Sequence, residues 1–172
     1  MNKQYPIGKS SFPETYSPND LEQWIDDIAL LPERIRNEIS GCSDDILLTP
    51  YRENGWTVRE VITHLLDSHT NALTRIKFAL TEEEPTILPY DQEAWVEIET
   101  QFEIPLELTL QMLEDIHEKI VRIYQSLDDD QWKRTYINPE SGSFSLARSA
   151  YHYDWHSNHH LAHIRLVTQS ES

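Results

Sequence analysis

Leu21, Trp24, Ile25, Ile28, Leu31, Ile35 and Ile39 recur at the three- and four-residue intervals of an amphipathic helix. Ser17-Pro18-Asn19-Asp20 opens this segment with a capping residue and a proline in the first turn; Pro32 is expected to kink it and Gly41 to stop it. A second stripe runs through Val58, Val61, Ile62, Leu65, Ala72, Leu73, Ile76 and Leu80. Thr57-Val58-Arg59-Glu60 marks its start as a capping box, with Trp56 and Val61 at the positions of a hydrophobic staple. A third stripe from Leu106 to Leu127 carries Leu110, Leu113, Ile116, Ile120 and Ile123, and a last helix is read from about Leu146 to Thr168. Pro85 and Pro89 mark a loop, and residues 91–101 predict a short helix around Trp95. Asn138-Pro139-Glu140-Ser141-Gly142 is a turn signal on which a small hairpin within 128–145 would close. Residues 1–17 read as an extended arm.

Helices of 20–25 residues are roughly 30–37 Å long. Four of them, each with one apolar face, bury those faces most simply against one another, which predicts an all-α fold: a four-helix bundle in a single domain over residues 1–172. The long connection between the second and third long helices leaves room for an order other than up-down-up-down.

A formal charge of −16 lacks the basic stripe that phosphate neutralisation requires, so neither nucleic acid nor an anionic membrane surface is an expected partner. No apolar run is long enough to span a bilayer, and the polar, proline-bearing stretch Met1–Tyr16 does not resemble a signal peptide. The single cysteine, Cys42, excludes an internal disulfide and fits a reducing compartment, so a cytoplasmic location is expected. With no histidine near it in sequence, Cys42 reads as a plain helix-end residue rather than a nucleophile.

Histidine changes the picture. Five of the eight lie between His152 and His163, inside the last helix. At 100° per residue His152, His156, His160 and His163 fall within an arc of roughly 80°, with His159 just outside it. The pairs 152/156, 156/160 and 159/163 all have the four-residue spacing that stacks two imidazoles on one face, and spacing alone does not choose among them. On the second long helix His64 shares a side with Asp67, Ser68 and Asn71. His69, about 140° further round, does not easily face the same ion. One ligand from this helix and two from the last would form a three-histidine site that leaves a tetrahedral ion one position for water or substrate. The bland alternative is an interface of aromatic and histidine side chains that fills the core. His117 reads as an ordinary helix residue, and Asp154 and Asn158 are expected to point away from the ligands. Arg52 and Arg59 are surface residues by default, with a substrate carboxylate as the alternative partner.

Two stretches carry a family resemblance. Thr49-Pro50-Tyr51-Arg52-Glu53-Asn54-Gly55-Trp56-Thr57-Val58-Arg59-Glu60, with His64-Leu65-Leu66-Asp67-Ser68-His69, resembles the YfiT family within the DinB-like superfamily. So does Trp155-His156-Ser157-Asn158-His159-His160-Leu161-Ala162-His163-Ile164, and Tyr5-Pro6-Ile7-Gly8, Pro89-Tyr90-Asp91 and Ala94-Trp95 are similar as well. The resemblance implies a four-helix bundle of unusual helix order, a homodimer, and one divalent ion (Zn2+ or Ni2+) per subunit held by His64, His156 and His160. It also implies a metal-dependent hydrolase acting on a small-molecule substrate, or a metal-dependent S-transferase that uses bacillithiol.

His-Glu-x-x-His is absent, since Ser157 follows His156, so the metalloprotease arrangement with its glutamate base is not indicated. Asp67, one turn from His64, is the candidate catalytic residue: a carboxylate there can orient a ligand imidazole or hold a water on the ion. The reading from a different class is a non-catalytic dimeric binding protein whose ion is structural.

Overall fold

The computed structural model describes residues 2–169. Met1 and residues 170–172, included in the expected domain, lie outside the described residues. The four long helices are α1 (Pro18–Glu38), α3 (Val58–Thr81), α5 (Leu106–Gln125) and α6 (Leu146–Thr168); α2 (Asp44–Leu47) and α4 (Gln92–Gln101) are short. The strands β1 (Thr135–Asn138) and β2 (Gly142–Ser145) form the hairpin, with Thr135 opposite Ser145 and Asn138 opposite Gly142. Gly142 turns it at φ +81°, a conformation glycine adopts without the steric cost of a Cβ. Residues 85–87 dock on the hairpin through Ile137 N–H to Pro85 O (2.8 Å) and Ile87 N–H to Ile137 O (2.9 Å).

Local chemistry accounts for the helix ends. Both Ser17 and Thr57 form full capping boxes, with Asp20 and Glu60 respectively reaching back to the cap backbone. Ser145 caps α6 by accepting from Arg148 N–H. Pro32 sits inside α1 without ending it, and the helix stops at Glu38, just before Gly41. The arm before α1 has no helix or strand, and Phe12 packs it against Trp24 and Tyr151, with ring centroids 6.2 and 5.6 Å away.

Around the bundle the order is α1, α5, α3, α6. Each of α1 and α3 packs on both α5 and α6, so consecutive long helices α1 and α3 lie diagonally across the core, as do α5 and α6. The connection from α3 to α5 makes this possible: α4 packs on α3, and Glu99 near its end accepts from Thr63 in the first turns of α3 (3.2 Å) and from Thr109 in the first turn of α5 (3.4 Å). Two consequences fix the site. His64 on α3 faces the histidines of its neighbour α6, and α5 reaches α1 on one side and α3 on the other. Two apolar clusters hold this arrangement, one around Ile28, Ile76, Tyr124 and Tyr153, the other around Leu31, Leu65, Leu113 and Ile164. No helix among the described residues is long and apolar enough to cross a membrane.

Candidate metal centre

α3 places a heptad-like stripe against the core: Val58, Ile62, Leu65, His69, Ala72, Ile76 and Ala79 are all buried. His64 lies beside that stripe, 2% exposed, on the side facing α6. From α6, His156 and His160 lie one turn apart and meet edge to face, with ring centroids 4.5 Å from each other, and they meet His64 at 5.1 and 4.7 Å. One nitrogen from each of the three rings falls within 4.8 Å of the others, and no carboxylate or thiol joins the group among the described residues.

The nitrogens suit one small cation. Nε2 of His64 and Nε2 of His156 are 3.1 Å apart. Two donors at 2.0–2.1 Å from a tetrahedral ion sit roughly 3.3 Å from each other, so this pair needs almost no movement to share one. His160 Nδ1 lies 3.3 Å from His163 Nδ1, which leaves Nε2 as the nitrogen turned toward the other ligands. Burial and the neighbouring imidazoles hold all three rings neutral: His64 is pushed down to about 4, and His156 and His160 well below the usual histidine range. A neutral imidazole keeps the lone pair that a metal needs.

Behind the ligands lies a hydrogen-bonded file of rings. His156 Nδ1 is 3.2 Å from His69 Nε2, His69 Nδ1 is 2.7 Å from His117 Nε2, and His117 Nδ1 is 2.6 Å from the carbonyl oxygen of Ile28 in α1. His69 and His117 are 0% and 1% exposed. The sequence reading missed both roles. It reads His69 as not easily facing the same ion as His64, and the structure puts it in contact with a candidate ligand from behind. It treated His117 as ordinary, although Leu110, Leu113, His117, Ile120 and Tyr124 form the buried stripe of α5. A histidine on an apolar stripe needs a polar partner, and that signal was available.

In front of the ligands opens a cavity of about 330 Å³, lined by Trp56, Ser68, Arg75, Tyr90, Asn138, His152 and Trp155 as well as the three histidines. Trp56 lies over His64 at 4.6 Å, and Trp155 stacks on His159 at 4.5 Å. His152 faces this cavity, and His163 stacks on Tyr51 at 4.0 Å, so the structure separates the five clustered histidines into different roles.

Asp67 is half-buried and does not line this cavity; its Oδ2 has no hydrogen-bond partner, and neither has His64 Nδ1. Burial, with Glu99 adding to it, pushes the Asp67 carboxyl up to about 6. Arg59 is engaged by the Ile104 carbonyl, and Arg52 donates to Glu53 O at 3.0 Å over the Tyr51 ring. Asn158 turns toward Asp154 (2.7 Å) and Arg34 (3.4 Å), away from the ligands, and Cys42 stays near the Glu38 carbonyl at 3.9 Å.

The burial of so many imidazoles gives the metal-free protein a pH signature. All eight histidines are shifted down, His64, His117, His152 and His159 to about 4. Between that value and roughly 6.5 the unfolded chain binds more protons than the folded one, so stability rises with pH and is complete above the unfolded value. Asp67 and Asp154, raised by burial to about 6 and about 7, have the opposite slope as pH rises from about 4 to 7. Histidines dominate by number. Denaturant midpoints of the metal-free protein are expected to fall steadily from pH 7 to 4.5, as the unfolding free energy drops by up to about 1.4 kcal/mol per pH unit for each buried ring. Midpoints that rise over this interval would mean that the rings are charged in the folded state.

Comparison with known proteins agrees with this picture. Residues 28–164 match the model of the DinB superfamily. A relative from Oceanobacillus iheyensis, provisionally named a metal-dependent hydrolase, is 41% identical over 164 residues that cover 95% of both chains. A Bacillus mycoides relative with the same provisional name is 39% identical over 161 residues, 94% of this chain and 92% of its own. The solved structure of YfiT from Bacillus subtilis, described as "a probable metal-dependent hydrolase with an unusual four-helix bundle topology", superimposes with a TM-score of 0.94 at 35% identity, covering 99% of this chain and 98% of that one. With the superfamily model matched over residues 28–164 and relatives near 40% identical along almost the whole chain, the chain belongs to the DinB superfamily.

Proposed function

We propose that the protein is a metal-dependent hydrolase whose ion is held by His64, His156 and His160 and whose substrate is a small molecule bound in the adjoining cavity. The observation that carries this reading is the set of three neutral ring nitrogens at the end of an open cavity, with no fourth protein ligand among the described residues. A purely structural ion is better served by a closed, four-ligand shell. When bound, a divalent ion with three uncharged ligands keeps its double charge and supplies Lewis-acid chemistry, making a coordinated water or thiol a nucleophile near neutral pH.

The remaining work falls to the chain. Trp56 covers His64 and shields the ligands from bulk water, which strengthens electrostatic interactions within the site. Arg75, whose Nη1 donates to Tyr153 Oη at 3.1 Å, brings a fixed positive charge to the cavity wall, and Asn138 and Ser68 add polar groups. A polar, oxygen-rich substrate of modest size suits such a wall. His152, held neutral at about 4 by burial and by Arg75 and Arg148, brings a further ring to it.

The test is turnover of a panel of small esters, amides and phosphoesters by the metal-loaded protein, with and without bacillithiol. Hydrolysis without any thiol, lost on chelation and restored by Zn2+ or Ni2+, is the expected result. Turnover only when bacillithiol is added, with conjugation of an electrophile such as monobromobimane, would replace the hydrolase reading with that of a thiol S-transferase.

A further inference from the structure

We propose that His69 and His117, anchored by the carbonyl that Pro32 leaves free, are positioning residues that fix the tautomer and ring orientation of His156 and thereby set how tightly the site holds its ion. This inference rests on the metal-site reading above.

The relay starts at α1. A proline has no N–H, so Pro32 cannot donate to the carbonyl of Ile28 four residues earlier. Ile28 is fully buried, and a buried carbonyl needs a donor. His117 Nδ1 supplies it at 2.6 Å. Because a carbonyl only accepts, the proton must sit on Nδ1 of His117.

The rest follows from counting protons. A neutral imidazole carries one N–H, so His117 Nε2 is a lone pair, and His69 must donate to it from Nδ1 across 2.7 Å. That leaves His69 Nε2 as an acceptor, so His156 must donate from Nδ1 across 3.2 Å. The only lone pair left on His156 is on Nε2, the atom 3.1 Å from His64 Nε2. The opposite proton order would set a lone pair of His117 against the Ile28 oxygen and would place a proton on the His156 nitrogen that faces the ion. One absent N–H in α1 is thus transmitted through α5 and α3 to a ligand on α6.

Ligand imidazoles commonly donate their second N–H to a carboxylate, a backbone carbonyl or water, and loss of such a partner typically lowers metal affinity 10- to 100-fold. Here two further imidazoles stand where a carboxylate usually would. They extend the link to a backbone carbonyl without burying a negative charge beside the site.

The test combines two readouts. Long-range 1H–15N spectra of the metal-free wild-type protein should show His156 protonated on Nδ1; protonation on Nε2 would overturn the proposal whether or not any variant folds. Zn2+ affinity, measured by competition with a chromophoric chelator, should fall roughly 10- to 100-fold in His117→Phe, and the Co2+ absorption bands should shift. Wild-type affinity and an unchanged Co2+ spectrum in a folded His117→Phe protein would reduce His69 and His117 to core residues. A wild-type protein that takes up no ion would sink the metal-site reading itself, whereas equal uptake by both proteins would sink only the role of the relay.

Discussion

Replacing His156 by alanine is expected to cut the affinity for a divalent ion by roughly two to three orders of magnitude and to bring metal-dependent turnover to background. The size of the effect follows from the share of one ligand in a shell whose full complement, in structural zinc sites, is worth about 10–16 kcal/mol. His156 is also the point where the ligand set meets the relay: its Nε2 faces His64 and its Nδ1 faces His69. Its loss removes a donor to the ion and leaves His69 Nε2, at a fully buried ring, without a partner. Competition titration of the purified variant measures the first effect. If the variant keeps wild-type affinity and activity, the ion is held elsewhere.

Leu113→Ala is expected to damage the fold strongly while leaving the three histidines in place. Leu113 is 0% exposed, in a cluster that draws Leu31 and Ile35 from α1, Ile62 and Leu65 from α3, and Leu161 and Ile164 from α6. All four long helices meet there, so the site has little freedom to collapse around a smaller side chain. Truncation at such positions costs about 2–5 kcal/mol. For a chain of this size that corresponds to a fall in melting temperature of roughly 4–20 °C, measured by calorimetry on the metal-free protein. A fall of a degree or two would mean that the core tolerates a void where the helices converge.

The architecture could be read from the chain because most of its signals are local. The capping box at Thr57, the cap and proline at Ser17 and Pro18, and the apolar periodicity of three segments each specify a helix without reference to the rest of the chain. α3, α5 and α6 begin where the sequence reading places them. The turn chemistry around Gly142 did the same for the hairpin. α2 went unseen because four residues are too few to show a period. The diagonal placement of α1 and α3 is a property of packing, and the long connection after α3 permits it without requiring it.

The site divides along the same line. His64, His156 and His160 came together as a set through a family resemblance, since spacing alone left three α6 pairs open. The structure brings these three side chains within reach of a common ion and leaves Asp67 away from the cavity. His69 and His117 are 48 residues apart, and their pairing depends on α5 lying between α1 and α3. Their positions on buried stripes announced two polar rings in the core, and only the helix order shows what they touch. Pro32 is the sharpest case. The sequence marks it as a kink in α1, and in the structure the carbonyl it leaves without an N–H partner, that of Ile28, lies 2.6 Å from His117 Nδ1.

The most direct check on the metal centre is an anomalous difference map from crystals of untagged protein grown with Zn2+ or Ni2+. One strong peak per chain is expected, about 2.0–2.2 Å from Nε2 of His64, His156 and His160, with any further ligand coming from solvent or substrate. A map with no peak among these three rings, or a peak whose shell is closed by a fourth protein side chain, would contradict it.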